Sequence, residues 1–323
     1  RALLADAPGP RTGRLEDGCR NAGYGFGPNR HSCLGMPHFE TARMQVDFPF
    51  AQLALSGAPF PGVVQLTAFS PFIPLDAERS GLPAAFFTWQ VENTSEQRLT
   101  YTLAFSAANP FAVTGAVNRR QGDSLVLEGP AAWRRQTRWG ALALSAPSER
   151  TEDLQVQTHW YRGNWFDGLS VFWRNFTSGR LEERDYPPDG TLGQEREADM
   201  ATLATAFTLE PGQRKSVRFL LSWYYPWMEN DWNPMTQEEL AASAARGGPA
   251  SNQWRKYYAT RFQDVLEVAA YAAAHWEALE ADSWAFASAM NATTLPPEAR
   301  DAAVSNLAVL KTPTCLLLED GSL

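Results

Sequence analysis

From Met44 to Tyr224 the sequence breaks into short stretches rich in Val, Leu, Phe, Thr and Trp, each closed off by Pro, Gly, Asn or Ser. Such stretches read as strands, because β-branched and aromatic side chains pack well on a pleated surface and turn residues punctuate it. They are Met44–Leu55, Val63–Phe69, Ala84–Glu92, Leu99–Ser106, Ser124–Leu127, Gly140–Ser145, Leu154–Trp160, Leu169–Phe172, Met200–Leu209 and Lys215–Tyr224. Roughly ten strands at near-regular spacing predict a large antiparallel β-sandwich.

The clearest local signal is the run Phe86–Glu92, then Asn93-Thr94-Ser95-Glu96, then Leu99–Leu103. Phe87, Trp89 and Val91 share one face, and Thr88, Gln90 and Glu92 the other. On the return, Leu99, Tyr101 and Leu103 alternate with Thr100 and Thr102. This pattern predicts a hairpin with one buried and one wet face. Glu210-Pro211-Gly212-Gln213 predicts a turn before the last strand.

On either side the texture differs. Residues 1–43 are irregular, punctuated by Pro8, Gly9, Pro10 and the cluster Gly23, Gly25, Gly27, Pro28. The strands occupy 44–229. A linker over 230–254 holds Pro234, Gly247, Gly248 and Pro249, with a short helix expected at Thr236–Ala245. Beyond it, in 255–323, Tyr258, Phe262, Val265, Ala269, Ala272, Trp276 and Leu279 follow helical steps of three and four. A second helix is expected behind Pro296 and Pro297, carrying Ala302, Val304, Leu307, Val309 and Leu310, and ending at Pro313. Two helices this apolar cannot bury themselves alone, so the reading is a whole β domain followed by the first piece of an α domain.

Composition narrows the function. A formal charge of -8 and a pI near 5.2 argue against a nucleic-acid partner, whose phosphates need a basic footprint, and against docking on anionic lipid. No apolar run reaches the ~18 residues of a membrane helix. Cys19, Cys33 and Cys315 are too few and too scattered for a disulfide framework, so a reducing compartment, the cytoplasm, is favoured. The chain opens at Arg1 and stops at Leu323 in mid-pattern, so both ends read as cut.

The obvious chemical constellations are incomplete. His31, Cys33, His38 and Cys19 lack the tight paired spacing of a zinc site. Gly23-Tyr24-Gly25-Phe26-Gly27 is followed by Pro28 rather than a helix, which is wrong for a phosphate cradle. There is no nucleophile elbow, and His159 and His275 have no spaced Ser or Cys partner. Three sequons, at Asn93, Asn175 and Asn291, are read as chance matches. Asp167, Glu182, Glu183, Asp185, Asp189, Glu195 and Glu197 form a polar stretch that reads as a wet face rather than a facing pair. More pointed is the aromatic density of Trp160-Tyr161, Trp165-Phe166, Phe172-Trp173 and Trp223-Tyr224-Tyr225-Pro226-Trp227, because flat rings stack on sugars as well as on one another. Core packing accounts for the larger share of them.

Certain strings are more specific. Pro37-His38-Phe39, Phe48-Pro49-Phe50-Ala51, Leu66 through Asp76 (LTAFSPFIPLD), Leu82-Pro83-Ala84-Ala85 and Asn93-Thr94-Ser95 follow in order. Together they resemble the N-terminal domain of glycoside hydrolase family 116, the family of non-lysosomal glucosylceramidases and bacterial β-glucosidases. Leu221–Pro226 and Tyr258–Phe262 resemble that family's crossing from sandwich to helical domain. Val304–Leu307, Thr312–Cys315 and Glu319-Asp320-Gly321 resemble its first helical hairpin. The glycine-rich start typical of the family is missing or diverged before Gly23.

The resemblance implies a β-sandwich packed against an (α/α)6 toroid, of which this chain would hold only the first helices. It implies a retaining β-glucosidase acting on a β-glucoside, a glycan or a glucosylated lipid, through a Glu nucleophile and an Asp acid/base about 5–5.5 Å apart. In the family both acids lie beyond the segment resembling Glu319-Asp320-Gly321, so no catalytic residue is expected in this chain and the fragment alone is expected to be inactive. No cofactor or metal is implied. The part expected of this chain is to support and border the active site through intramolecular contact with the α domain. Candidates for that interdomain or substrate-entrance surface are Phe69, Phe72, Trp223, Tyr224, Tyr225 and Trp227; the competing reading is ordinary core. Two other readings stay open: a stand-alone carbohydrate-binding or structural sandwich, and another toroid enzyme such as a phosphorylase.

Overall fold

The structure is a computed structural model that describes residues 36–58, 60–162, 168–187, 199–231, 233–311 and 315–321. Its strands are β1 (Thr41–Asp47), β2 (Phe50–Ser56), β3 (Gly62–Phe69), β4 (Ala84–Asn93), β5 (Leu99–Ala108), β6 (Val117–Gln121) and β7 (Ser124–Glu128). They continue as β8 (Ala141–Ser145), β9 (Leu154–Gln157), β10 (Met200–Leu209), β11 (Arg214–Tyr224), β12 (Trp227–Glu229) and β13 (Gln253–Arg255). Among the described residues seven helices accompany them: α1 (Ala77–Ser80), α2 (Gly168–Thr177), α3 (Gln237–Ala244), α4 (Tyr258–Arg261), α5 (Val265–Ala274), α6 (Trp276–Asn291) and α7 (Pro297–Asn306).

An eight-stranded antiparallel sheet runs β1-β2-β3-β4-β11-β8-β7-β6, and a three-stranded one runs β5-β10-β9. The alternation along each strand of the large sheet divides its side chains between two apolar layers. Leu55, Val64, Val91, Leu125, Leu127, Leu144, Val217 and Phe219 meet Leu154, Val156, Leu203 and Phe207 of the small sheet. Their neighbours Phe50, Phe69, Ala84, Phe86, Val126, Ala143, Leu220 and Tyr224 pack instead against Val265, Val268, Ala272, Trp276 and Leu279 of α5 and α6. The large sheet is thus the middle of three layers, which explains why Leu125-Val126-Leu127 are all fully buried.

Four expectations need correction. The Phe86–Glu92 and Leu99–Leu103 strands do not form a hairpin: β4 pairs with β3 and β11, and β5 pairs with β10. The loop between them is an arch that carries the chain from one sheet to the other. Asn93, with no exposed surface, holds it: its amide donates to the carbonyls of Gln97 (2.7 Å) and Leu209 (3.0 Å) and accepts from Ser95 N–H and Oγ. The Glu210–Gln213 turn is a second arch beside it, joined by Asn93 N–H to Gln213 O (3.0 Å) and Gly212 N–H to Asn93 O (2.8 Å). Gly212, at φ +74°, has the left-handed backbone that favours glycine.

The second face of β4 is also not simply wet, since Ala84 and Phe86 at its start are fully buried beneath the helices. Leu169–Phe172 belongs to α2 rather than to a strand; Phe172 stacks on Trp160 at 4.0 Å and on Phe176, one helical turn away, at 5.7 Å. Met44–Leu55 is two strands, β1 and β2, that turn at Phe48-Pro49, whose peptide bond is cis.

The helical stripe from Tyr258 to Leu279 is real, but three helices share it. Phe262 is extended and ends α4, Asp264 caps α5 through Leu266 N (2.8 Å) and Glu267 N (2.9 Å), and His275 separates α5 from α6. The short helix expected at 236–245 is α3, with Thr236 and Glu239 forming a reciprocal capping box. The second expected helix is α7, followed by a 3-10 turn at Leu307–Lys311; Pro313 lies outside the described residues. Among the described residues, no helix is long and apolar enough to cross a membrane.

Candidate functional site

The six aromatic candidates fall into two groups, one at the end of β3 and the segment after it, the other around the end of β11. Phe69, at the end of β3, is buried between Phe50 and Phe86, its ring stacked on that of Phe86 at 4.6 Å. The segment after it folds back over α6. Phe72 is buried against the rings of Phe48 (5.0 Å) and Phe286 (5.1 Å), and its N–H donates to Ser283 Oγ (3.2 Å).

This return segment is held at several points. Ser80 Oγ accepts from Ile73 N–H (2.8 Å) and donates to Ile73 O (2.9 Å). Asp76 caps α1 through Arg79 N–H (2.9 Å), and Arg79 reaches both Asp76 (2.6 Å) and Asp282 on α6 (2.5 Å). The backbone N–H of Arg79, then its guanidinium, hold the Asp76 carboxyl below the usual carboxylate range. Lys311 donates to the carbonyls of Pro71 (3.0 Å) and Ser80. Burial pushes its ammonium down to about 8. Leu75, at φ +66°, is the fully exposed tip of the segment.

The second group surrounds the end of β11. Trp223 is half-buried, its N–H donating to Pro83 O (3.0 Å). Tyr224 is buried, with its hydroxyl donating to Phe262 O (3.1 Å); burial pushes the phenol up, and Arg255 opposes that shift. The ring of Tyr225 lies against Gly140, where a Cβ would come within 2.2 Å of it, so only glycine fits. Burial pushes the Tyr225 phenol up to about 12. The Tyr258 hydroxyl accepts from Tyr225 N–H and donates to Tyr225 O, both at 2.7 Å, tying α4 to the strand end. Trp227, half-buried, sits in β12 opposite Arg255 of β13.

Tyr224 and Trp227 also border a cleft of about 450 Å³ between the ends of β7, β8 and β11, the β12–β13 pair and the start of α5. Its polar groups are Arg119, Glu128, Arg134, Arg255, Gln263 and Asp264. Glu128, with a side chain 13% exposed, takes Arg134 at 2.9 Å and Arg119 at 3.7 Å. Arg134 lies 5.7 Å over the ring of Trp139, whose indole N–H donates to Gly129 O (3.2 Å). The sequence reading missed these charged residues, because the β6–β7 hairpin and the start of α5 are far apart in sequence and only their packing joins them. The local trace was the run Trp133-Arg134-Arg135-Gln136-Thr137-Arg138-Trp139, rich in arginine for so acidic a chain.

Other constellations stay apart. Glu182, Glu183 and Asp185 are exposed, and Glu182 bonds Asn175 (2.9 Å) and Arg184. Asp167, Asp189, Glu195, Glu197, Cys19, His31, Cys33 and the Gly23–Gly27 run lie outside the described residues, while His38 Nδ1 lies 2.6 Å from Met36 O. Among the described residues, no three His, Cys, Asp or Glu side chains gather as metal ligands.

A family model described as "beta-glucosidase 2, glycosyl-hydrolase family 116 N-term" matches residues 22–279. No curated protein matches the sequence. Solved structures with some likeness include a putative kojibiose phosphorylase from human microbiome, with a TM-score of 0.31 and 10% identity over 64% of this chain and 22% of that one. Heparan sulfate lyase HepC from Pedobacter heparinus has a TM-score of 0.31 and 7% identity over 62% of this chain and 25% of its own. A GH36 alpha-galactosidase from Geobacillus stearothermophilus, in complex with stachyose, has a TM-score of 0.25 and 10% identity over 58% of this chain and 28% of its own. The chain spans about a quarter of the length of these proteins, and the likeness is too slight to assign anything by itself.

Proposed function

Because the chain belongs to the glycosyl-hydrolase family 116 N-terminal family, we propose that it is the non-catalytic N-terminal portion of a retaining β-glucosidase of the glucosylceramidase type. On this reading 44–229 is the β domain, 230–254 the linker, and 255–323 the opening helical hairpin of an (α/α)6 toroid. The parent would hydrolyse a β-glucoside, and this portion would support and border the active site.

The observation that carries the reading is the burial of the large sheet's second face under α4, α5 and α6. Phe72 meets Phe286 and Ser283 of α6, and Tyr224 meets Tyr258 of α4 and the carbonyl of Phe262 just after it. A sheet face shaped to hold helices is what a scaffold for a helical catalytic domain requires.

Among the described residues, five acids whose surroundings are defined are poor candidates for the chemistry. Retaining hydrolysis needs a nucleophilic carboxylate facing a second carboxyl whose acidity is weakened, so that it can protonate the leaving group. In the cleft, Glu128 is engaged by two guanidiniums and Asp264 caps α5. Asp76, Glu239 and Glu277 are held more acidic than usual by hydrogen bonds, the opposite of what a general acid needs. On this reading the nucleophile and the acid/base come from residues outside this chain, as the family resemblance implies.

The test is an aryl β-glucoside assay on the purified chain and on the longer parent. The parent should release nitrophenol with retention at the anomeric carbon, and the chain alone should stay at background. Release by the chain that disappears in Glu128→Gln or Asp264→Asn would overturn the non-catalytic reading.

A further inference from the structure

We propose that β1 is a dimerisation strand, which pairs edge to edge and antiparallel with β1 of a second copy of this chain. β1 ends the large sheet, and among the described residues it is paired on one side only, to β2. The strand at the opposite end, β6, is tied down: Asn118 donates to Thr158 O (2.8 Å) and Arg120 to Thr151 O (2.9 Å). On β1, by contrast, Thr41, Arg43, Met44, Gln45 and Val46 are all exposed. An uncovered edge offers its unpaired backbone N–H and C=O groups to another strand.

The side chains select which strand can use it. Met44 and Val46 are each 61% exposed, and both lie on the face that β2 continues with Leu53 and Ala51. Arg43, Gln45 and Asp47 share the other face, as alternate residues of a strand do. A cation and an anion thus stand two residues to either side of Gln45. Asp47 accepts from Gln45 Nε2 (2.7 Å), while Arg43 has no acid partner among the described residues.

An antiparallel two-fold through Gln45 sets Arg43 opposite the partner's Asp47 and Met44 opposite the partner's Val46. Because the contact is isologous, each pair occurs twice. On the apolar face the row Leu53–Met44 then runs on into Val46 of the partner subunit. Other registers lose this match. An axis through Arg43 or Asp47 sets like charges opposite each other, which destabilises a sheet where opposite charges stabilise it. An axis through Met44 leaves Arg43 facing the partner's Gln45. A slip of one residue puts every side chain on the wrong face. A strand complementary to itself in one register fits a second copy better than an unrelated strand.

Sedimentation velocity on the full chain, over about 1–100 µM, should show monomer and dimer in equilibrium. The expected Kd is on the order of 10 µM, since the contact is only one strand wide. Arg43→Asp and Asp47→Arg each place like charges across the axis, and each should weaken association about tenfold or more. Mixed together, the two variants are complementary again and should form a heterodimer with the wild-type Kd. The double variant, R43D with D47R, reverses both charges within one chain and should dimerise like the wild type. Loss in each single variant with recovery in the mixture and in the double variant cannot come from misfolding. A chain that stays monomeric at about 100 µM overturns the proposal. So does a dimer that persists in both single variants, which would place the contact elsewhere, and so does failure of both the mixture and the double variant to recover it.

Discussion

Trp276 shows how one side chain holds two layers together. It opens α6, is 1% exposed, and meets the fully buried Phe86 edge-on at 4.7 Å. Arg218, on the strand beneath, lies 4.9 Å over the indole and pairs with Glu277 at 2.6 Å, so the rim of the contact is charged and its centre is dry. Truncation to alanine removes the largest fully buried side chain among the described residues and leaves a void that packed neighbours cannot fill. Trp276→Ala should destabilise the protein by about 3–5 kcal/mol, read as a lowered denaturant midpoint. A loss under about 1 kcal/mol would mean that the helices contribute little to the sheet. The residue was legible in the sequence as one step of a helical stripe. Its partner Phe86 was not, because alternation gives a face to each residue without saying what covers that face.

Among the elements, most strands were visible because each is a short apolar run with turn residues at its ends. Their pairing was not. A loop of a few polar residues can close a hairpin within one sheet or arch between two, and local sequence is nearly the same for both. Asn93 settles it here: both of its amide hydrogens and its oxygen are bonded within the two arches. Asn93→Asp replaces the NH₂ that faces the Gln97 and Leu209 carbonyls with a second acceptor. It should cost about 2 kcal/mol or more, since it leaves buried acceptors without donors and brings a charge toward them. Equilibrium unfolding checks this, and the loss should ease at low pH, where a protonated carboxyl can donate again. α2 was misread for a different reason. Leu169 to Phe172 is too short a window to tell alternation from a helical step, and Phe176, which completes the period, lies outside it. The cleft was unreadable at this scale because no single element carries more than part of it.

Across the whole molecule, buried titratable groups link stability to pH. Lys311 joins the 3-10 turn after α7 to the segment over α6, and burial lowers its pKa from 10.5 to about 8; Lys256 is lowered in the same direction by the same cause. Below about pH 8 Lys311 is charged in both folded and unfolded chains, so the fold bears the full desolvation cost. Between about pH 8 and 10.5 the folded form releases its proton first, and stability rises with pH. The tyrosines act in the opposite sense: burial raises Tyr224, Tyr225 and Tyr258 above 10.0, so stability falls once unfolded tyrosines ionise past that value. Thermal midpoints should therefore climb from pH 8 toward 10 and drop beyond it, and Lys311→Met should flatten the climb. An unaltered climb in that variant would show that Lys311 does not cause it.

The side-by-side arches at Asn93 and Gly212 also govern how the molecule comes into being. The central pairing of the large sheet joins Glu92 to Arg214, and that of the small sheet joins Leu99 to Leu209, so the β1–β4 and β6–β8 portions can form locally but neither sheet can be completed without distant residues. At ribosomal rates of ~5–20 residues per second, the edge of β4 waits on the order of ten seconds for its partner to be synthesised. Assembly is thus dominated by distant contacts and correspondingly slow. During synthesis this chain depends on whatever shields an open, apolar strand edge until Arg214–Tyr224 leaves the ribosome.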